Sequence, residues 1–577
     1  MALPSSTAAS APAGVKKDSY KWTALSNTTL GMFMASLDSS IVIISLPAIF
    51  RGISLNPLDP ANISYLLWML MGYMVCTAVL VVAFGRLGDM FGRVKMYNAG
   101  FLIFTLASVA LSLTPGRGGA AALYMIIMRV VQGVGGSFLI ANSTAILTDA
   151  FPANERGLAM GINMIAAMTG QFIGLIVGGL LAAVDWRLVF WINVPFGLFG
   201  TVWAYWKLRE TGLRDRREHD WWGNATFALG LISLLVGITY GIQPYGTHVM
   251  GWTSPLVLGA LVAGVALLIA FVIIERRIES PMFNLKLFTI RPFTAGNIAG
   301  LLSAIGRGGL QFMLIIWLQG IWLPLHGYSF ESTPLWAGIY MLPLTIGFLL
   351  VGPVSGWLSD RYGARWFSTG GMLLGAASFA ALMMLPANFN FWTFAVLLFV
   401  MGLGSGFFAA PNTTAIMNSV PSHERGQASG MRATFMNAGQ VLSIGVFFSL
   451  MIFGLAKTLP QAMAANLERE GVPAPVAVQV SNVPPVSSLF AAFLGYNPMQ
   501  QLVPAKVLAA LPPANAADIT GKEFFPELIS KPFMDGLKIA FTFSLIAYLI
   551  AAAASWMRGG RFVHDEGDVI SAEESII

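Results

Sequence analysis

The stretch GRLGDMFGR, residues 85–93, returns 271 positions later as GWLSDRYGAR, residues 356–365. Two more pairs follow in the same order. GSFLIANSTAI from Gly136 matches GFFAAPNTTAI from Gly406, and FPANERGLAMG from Phe151 matches VPSHERGQASG from Val420, at offsets of 270 and 269. A nearly constant shift over three matches marks a duplicated unit. Composition says what kind of unit. The chain has 577 residues, 56% hydrophobic and 10% charged, with mean hydropathy +0.71. Soluble domains carry about 25% charged residues. The sequence therefore reads as an all-α polytopic membrane protein.

The net charge of +6 does not point to nucleic acid. The basic residues sit in short clusters between apolar runs, which is the positive-inside pattern of membrane proteins. The single cysteine, Cys76, lies within an apolar run, so no internal disulfide forms. The first twenty or so residues are rich in Ala, Ser and Lys without a short apolar core, so no cleavable signal is expected.

Fourteen apolar runs are long enough to cross a bilayer. They begin near Leu25, Asn62, Val94, Ala121, Leu158, Val189, Trp222, Ser254, Phe293, Leu335, Trp366, Phe391, Gln427 and Phe533. With the N-terminus inside, about twenty of the 33 basic residues fall on the cytoplasmic side, in segments such as KLRETGLRDRREHD and SDRYGAR. The short opposite loops carry only single ones, such as Arg51, Arg117 and Arg187. Both termini are thus expected in the cytoplasm and the protein in the cell membrane. The repeat maps span one onto span nine, leaving spans seven and eight as an insertion. The expected organisation is a tail (1–23), a six-helix half (24–208), a two-helix insertion with linkers (209–291), a second half (292–557) and a tail (558–577). Parallel six-helix halves around a midplane site are the arrangement of alternating-access transporters. Residues 458–532 are Pro- and Ala-rich and read as an extracytoplasmic loop with local helix around QAMAANLERE. An inert insertion and a functional lid both remain open for it.

Several of these stretches resemble a known family. GRLGDMFGRVK resembles the loop motif of the major facilitator superfamily, and RVVQGVGGS (129–137) resembles its fourth-helix motif. LDSSIVIISLP (37–47) and WRLVFWINVPFG (186–197) look like signatures of its fourteen-helix drug:proton antiporter branch. The resemblance covers the chain apart from both tails and the long loop. It implies two six-helix bundles plus two extra central helices, and proton-driven export of lipophilic compounds such as drugs, without a cofactor. One position departs from the pattern: where the family's fifth-helix motif has Pro after its second Gly, GQFIGLIVGG has Leu175.

Asp38 is the acid that needs explaining. An ionised Asp at the centre of a membrane helix costs about 2.5–3.5 kcal/mol on insertion scales. It shares a helical face with Met34, Val42 and Ser45, and Met34 is expected to line the substrate cavity beside it. A carboxylate reached from one side and then the other is a natural proton carrier, so Asp38 is expected to bind the coupling proton. The alternative is a structural Asp paired permanently with Arg129 or satisfied by helix ends. Arg129 is either that electrostatic partner or a packing anchor bonding backbone carbonyls. Arg307 lies opposite Asp38 under the 269-residue offset. Ser303, Arg307 and Gln311 recur every fourth residue, a polar stripe expected to face a central cavity. One acid with one or two bases argues against divalent cations as substrates and suits neutral, amphipathic, monocationic or anionic lipophiles. Asn163, Asn437 and Gln440 are expected either to face that cavity or to bond neighbouring helices.

The repeated loop motif suggests a conformational latch. Gly85, Gly88 and Gly92 permit a tight turn, Asp89 can pair with Arg93, and Lys95 reaches the headgroups. Gly356, Asp360, Arg361 and Arg365 form its counterpart, extended by Glu155–Arg156 and Glu424–Arg425. Gly170, Gly174 and Gly178 make a small-residue ridge for close helix packing. The sequence has no phosphate-cradling loop, HExxH or nucleophile elbow, which disfavours an ATP-driven pump, a metal centre or an enzyme. The expected partners are a small lipophilic substrate, protons and membrane lipids, with a monomer as the simplest state. Two rivals stand beside the antiporter: an exporter or flippase of endogenous lipids or metabolites, and a non-transporting membrane sensor or scaffold.

Overall fold

A chain this apolar can satisfy its backbone N–H and C=O groups in a bilayer only internally, as helix or closed barrel. The computed structural model takes the helical route. It describes residues 17–559, apart from 57, 153–154, 211–219, 247, 279–280, 282, 422–423 and 496. Among the described residues there are 14 helices long and apolar enough to span a membrane, and the only β pairing is an isolated bridge between Tyr245 and His248.

The first half comprises α1 (Ser19–Gly52), α2 (Asn62–Phe91), α3 (Arg93–Ser112), α4 (Gly118–Ala150), α5 (Leu158–Val184) and α6 (Leu188–Lys207). The insertion is α7 (Trp221–Gly241) and α8 (Pro255–Glu275). The second half comprises α9 (Arg291–Leu325), α10 (Thr333–Ser359), α11 (Ala364–Met383), α12 (Phe391–Asn418), α13 (Gln427–Arg469) and α14 (Phe524–Met557). The helices alternate in direction, so α1 begins and α14 ends on one face, called here the terminal face. The long segment after α13 emerges on the opposite, or loop, face.

The duplicated motif does the same backbone work in both halves. Gly92 separates α2 from α3 at φ 111°, and Gly363 separates α10 from α11 at φ 88°, a region that side-chain-bearing residues rarely adopt. The glycine ridge seats α5 on α1. A β-carbon at Gly174 would fall 2.1 Å from Ser40 Oγ and 2.6 Å from the Leu37 carbonyl, and one at Gly170 would fall 2.4 Å from the Phe33 carbonyl. Removing the side chains is what lets the two backbones touch.

Two seams join the halves. Along the first, α5 meets α10 from mid-membrane to the loop face: a β-carbon at Gly179 would lie 2.4 Å from Leu335 Cα, and one at Gly338 would lie 2.9 Å from the Leu175 carbonyl. Towards the terminal face, Gly161 has open space around it. Along the second seam α2 meets α13, and the α7–α8 hairpin lies over it. There Gly445 packs on Ile238, and the Thr239 hydroxyl approaches Met71 sulfur at 4.0 Å.

The loop-face segment departs from expectation. Helix α13 runs on to Arg469 and α14 begins at Phe524, so the connection is shorter than 458–532. The Ala-, Met-, Leu- and Glu-rich QAMAANLERE has high helix propensity and simply continues α13. Within the connection, Ala474–Ser481 and Pro485–Phe493 form a pair bent by 82°, and every residue from Pro485 to Phe493 is buried. Phe493 packs 5.3 Å from Phe312, and Phe490 packs 5.4 Å from Phe448. A β-carbon at Gly320, in the π-turn Leu318–Trp322 of α9, would lie 2.9 Å from the Ala492 carbonyl. Arg51 Nη1 donates to the Leu494 carbonyl at 3.2 Å. The segment is a wedge packed between the halves, against α9 and α13 of the second and Arg51 of the first.

Candidate functional site: a buried acid–base cluster in the first half

Asp38 is fully buried, and each of its oxygens is engaged. Arg129 Nη1 donates to Oδ2 at 2.5 Å. Gln132 Nε2 and Asn193 Nδ2 donate to Oδ1 at 2.9 and 2.7 Å. Arg129 Nη1 also donates to Gln132 Oε1 at 2.6 Å, and Gln132 Nε2 to Ser108 Oγ at 2.9 Å. The guanidinium lies 4.6 Å from the centre of the Tyr73 ring, whose hydroxyl donates to the Ala35 carbonyl at 3.2 Å. Helices α1, α2, α3, α4 and α6 thus meet at one polar point. Charge-assisted bonds and a stacked ring offset the desolvation of both ions. Arg129 Nε is buried without a partner, a free donor beside the carboxylate.

The sequence reading expected Asp38 and Met34 on a cavity wall. Both turn into the interior of the first half instead. Met34 is 1% exposed and packs with Tyr97, Phe101 and Phe104. The carboxylate goes where the donors are, and these come from α4 and α6, so the face it shares with Met34 follows it inward. Arg129 contacts side chains here rather than acting as an anchor on backbone carbonyls. Gln132, Asn193, Ser108 and Tyr73 were missed. Gln132 had a readable signal, one helical turn after Arg129, and Asn193 lies inside the quoted 186–197 stretch.

The stripe on α9 is split. The α-helix pauses at Gly309, whose N–H donates to Ser443 Oγ at 2.8 Å, while the same hydroxyl donates to the Ile305 carbonyl. Before the break, Ser303 is buried, and it and the half-buried Arg307 face Tyr548. After it, Gln311 turns to the other half and accepts from Gln171 Nε2 on α5 at 3.1 Å. Asn163 is buried in the first half and donates to Ser143 Oγ at 2.9 Å, bonding a neighbouring helix. Asn437 and Gln440 are half-buried, and the Gln440 backbone packs on Gly308.

The latch motif forms the expected Asp89–Arg93 pair, but its bonds stay within the first half. Arg93 donates to Asp89 at 2.7 Å and to Asp149 at 2.5 Å, and Lys21 donates to Glu155 at 2.8 Å. Gly85 and Gly88 face α4, with a β-carbon at Gly85 3.8 Å from Ala141 Cβ. Glu210 Oε1 accepts from the Lys95 N–H at 2.9 Å. These bonds tie α2, α3 and α4 together within the first half and do not span the halves. The second half carries no carboxylate where Asp149 would map, only Asn418 or Ser419. Arg365 accordingly stacks 3.6 Å from the Trp556 ring, and Arg361 lies 5.6 Å from the Tyr362 ring. Gly356 faces Ala410, and Arg425 Nε donates to the Met417 carbonyl at 3.2 Å. The side chains of Arg156 and Asp360 lie outside the described residues. The bridge between halves on the terminal face lies elsewhere. The Pro281 carbonyl, after α8, accepts from Arg86 Nη2 of the first half at 2.5 Å and from Gln427 Nε2 of the second at 2.9 Å. Asn284 Nδ2 adds a bond to Glu424 at 3.0 Å.

Two like six-helix halves with a polar seam and a buried ion pair make up a polytopic helical membrane protein of the two-bundle kind. The family model described as Major Facilitator Superfamily matches residues 28–306 and 296–456, and the chain belongs to that family. It is 29% identical over 540 residues to the tetracenomycin C resistance and export protein of Streptomyces glaucescens, covering 92% of this chain and 91% of that one. It is 29% identical to the riboflavin transporter RibZ of Clostridioides difficile, covering 74% and 88%, and 28% identical to the multidrug resistance protein Stp of Mycobacterium tuberculosis, covering 94% and 93%. Among solved structures, an inward-facing, occupied bacterial homologue of the human lysosomal transporter Spinster shares the fold, with TM-score 0.56 and 15% identity over 94% of this chain and 97% of that one.

Proposed function

We propose that the protein exports lipophilic or amphipathic small molecules, antibiotics among them, in exchange for protons, with the terminal face in the cytoplasm of a cell membrane. The observation that carries proton exchange is the Asp38 cluster. A proton arriving on Oδ2 removes the charge that holds Arg129, and Gln132 Oε1 at 2.6 Å is already in place to keep the guanidinium. The cluster therefore has two arrangements, ion pair and neutral acid, that differ in how α1 is tied to α4 and α6. A two-arrangement element of this kind is what a proton gradient needs in order to bias an alternating-access equilibrium.

The relatives support export of toxic compounds, since two of those named are resistance proteins. A metabolite as substrate is the second reading, favoured by the similarity to a riboflavin transporter. Reconstituted protein with an imposed pH gradient tests both. Gradient-driven movement of tetracenomycin C but not of riboflavin selects the first substrate class, and the reverse selects the second. Loss of the gradient dependence in Asp38→Asn is the expected result for coupling. Efflux indifferent to gradient and substitution alike would sink it.

A further inference from the structure

A pair of acids lies where the α7–α8 hairpin meets the bridge between the halves. Asp220 caps α7, its Oδ1 accepting from the Gly223 N–H at 2.7 Å. Glu275 ends α8, its Oε2 accepting from the Phe283 N–H at 3.0 Å. The two residues are 4% and 3% exposed. Each has one oxygen left, Asp220 Oδ2 and Glu275 Oε1, and both are buried without a hydrogen-bond partner. A β-carbon at Gly223 would sit 2.0 Å from the first and 2.8 Å from the second, so the two free oxygens share one small space. Among the described residues, the charged group facing Glu275 from the neighbouring helices, besides Asp220, is Arg86 of α2.

Two ionised carboxylates in a buried space repel, and two unpartnered acceptors cannot satisfy each other. One proton resolves both problems. It converts one oxygen to a donor, and the pair becomes a single O–H···O⁻ unit. We propose that Asp220 and Glu275 bind one proton between them, taken from water on the cytoplasmic side, and that this proton keeps the bridge between the two halves in place.

The wiring is short. With the proton bound, Glu275 holds the Phe283 N–H. Phe283 inserts its ring among Phe227 of α7, Phe271 of α8 and Phe435 of α13, at 5.9, 5.4 and 5.6 Å. Two residues before it, the Pro281 carbonyl ties Arg86 to Gln427. When the proton leaves, the doubly charged pair draws the Arg86 guanidinium off Pro281, and the link between α2 and α13 opens. The site is separate from Asp38 and reads the pH of one compartment rather than the gradient.

Infrared difference spectroscopy on the purified full-length protein tests proton binding without any transport. A protonated-carboxyl C=O band is expected in wild type and in Asp38→Asn, and it is lost in Glu275→Gln and in Asp220→Asn. The same band in all four proteins overturns the proposal. Proteoliposome efflux then tests the coupling, with cytoplasmic-side pH varied at a constant gradient. Glu275→Gln offers Asp220 a permanent donor, so its efflux is expected to lose the dependence on cytoplasmic pH while still requiring the gradient. An unchanged profile in Glu275→Gln rejects the regulatory role, and if that variant does not fold, Asp220→Asn with Glu275 intact serves the same purpose. Asp38→Asn is expected to abolish gradient drive and Glu275→Gln to keep it, so failure of this proposal is separable from failure of the antiport reading.

Discussion

Gln171 Nε2 of α5 donates a hydrogen bond of 3.1 Å to Gln311 Oε1 of α9 across the boundary between the two halves. It lies at mid-membrane, and from it the α5–α10 seam is packed to the loop face. Side-chain hydrogen bonds between membrane helices average about 0.6 kcal/mol and reach about 1.7. The pair is therefore strong enough to tilt a conformational balance and weak enough to break in each cycle. A double-mutant cycle of Gln171→Leu and Gln311→Leu should show non-additive effects on efflux rate, with coupling of up to about 1.7 kcal/mol. Additive losses would mean that the two amides act separately.

Asp38 and Arg129 separate stability from function. Removing one member of a buried ion pair costs about 3–5 kcal/mol, whereas replacing both with apolar residues is often neutral. Arg129→Leu should lower the melting temperature in detergent markedly, and Asp38→Leu/Arg129→Leu should recover most of that loss while remaining inactive in gradient-driven efflux. A double variant as unstable as the single one would place the stabilisation in Gln132 and Tyr73 rather than in the pair.

Glycines on the same helix should differ sharply. Gly174 faces the α1 backbone, whereas Gly161 has nothing within 4 Å of an added β-carbon. Overpacking costs about 1–3 kcal/mol. Gly174→Ala should reduce the yield of monodisperse protein and its melting temperature, and Gly161→Ala should leave both unchanged. Equal behaviour would show that α1 and α5 adjust freely.

The wedge Pro485–Phe493 can be trapped. In a Cys76→Ala background, cysteines at Gly320 and Ala492 bring together positions whose close approach is set by the 2.9 Å contact to the Ala492 carbonyl. Oxidation should stop efflux and reductant should restore it, because opening the loop face requires the wedge to leave. Full activity in the cross-linked protein would make it a static lining.

Much of the architecture is legible in the residues, and the reasons are physical. Span number follows from bilayer thickness, which demands apolar runs of a given length, and the quoted pairs at 85, 136 and 151 expose the duplication. Asp38 and Arg129 stand out because charge in a span is costly enough to need a cause. What the chain alone leaves open is azimuth. In a soluble helix the apolar stripe points to the core, but in a bilayer the lipid side is as apolar as the interior. Nothing in the pattern around Met34 could say that it faces Tyr97 and not a cavity.

The amino-acid order by itself determined the class, the two like halves with their inserted hairpin, and the one central acid with its base. Only the tertiary structure decided that Gln132, Asn193 and Ser108 converge on that acid, that a pause at Gly309 sends Gln311 to Gln171, and that Pro281 rather than the repeated loop joins the halves. Such meetings depend on how helices rotate and cross, and those angles are set by side chains on several helices at once.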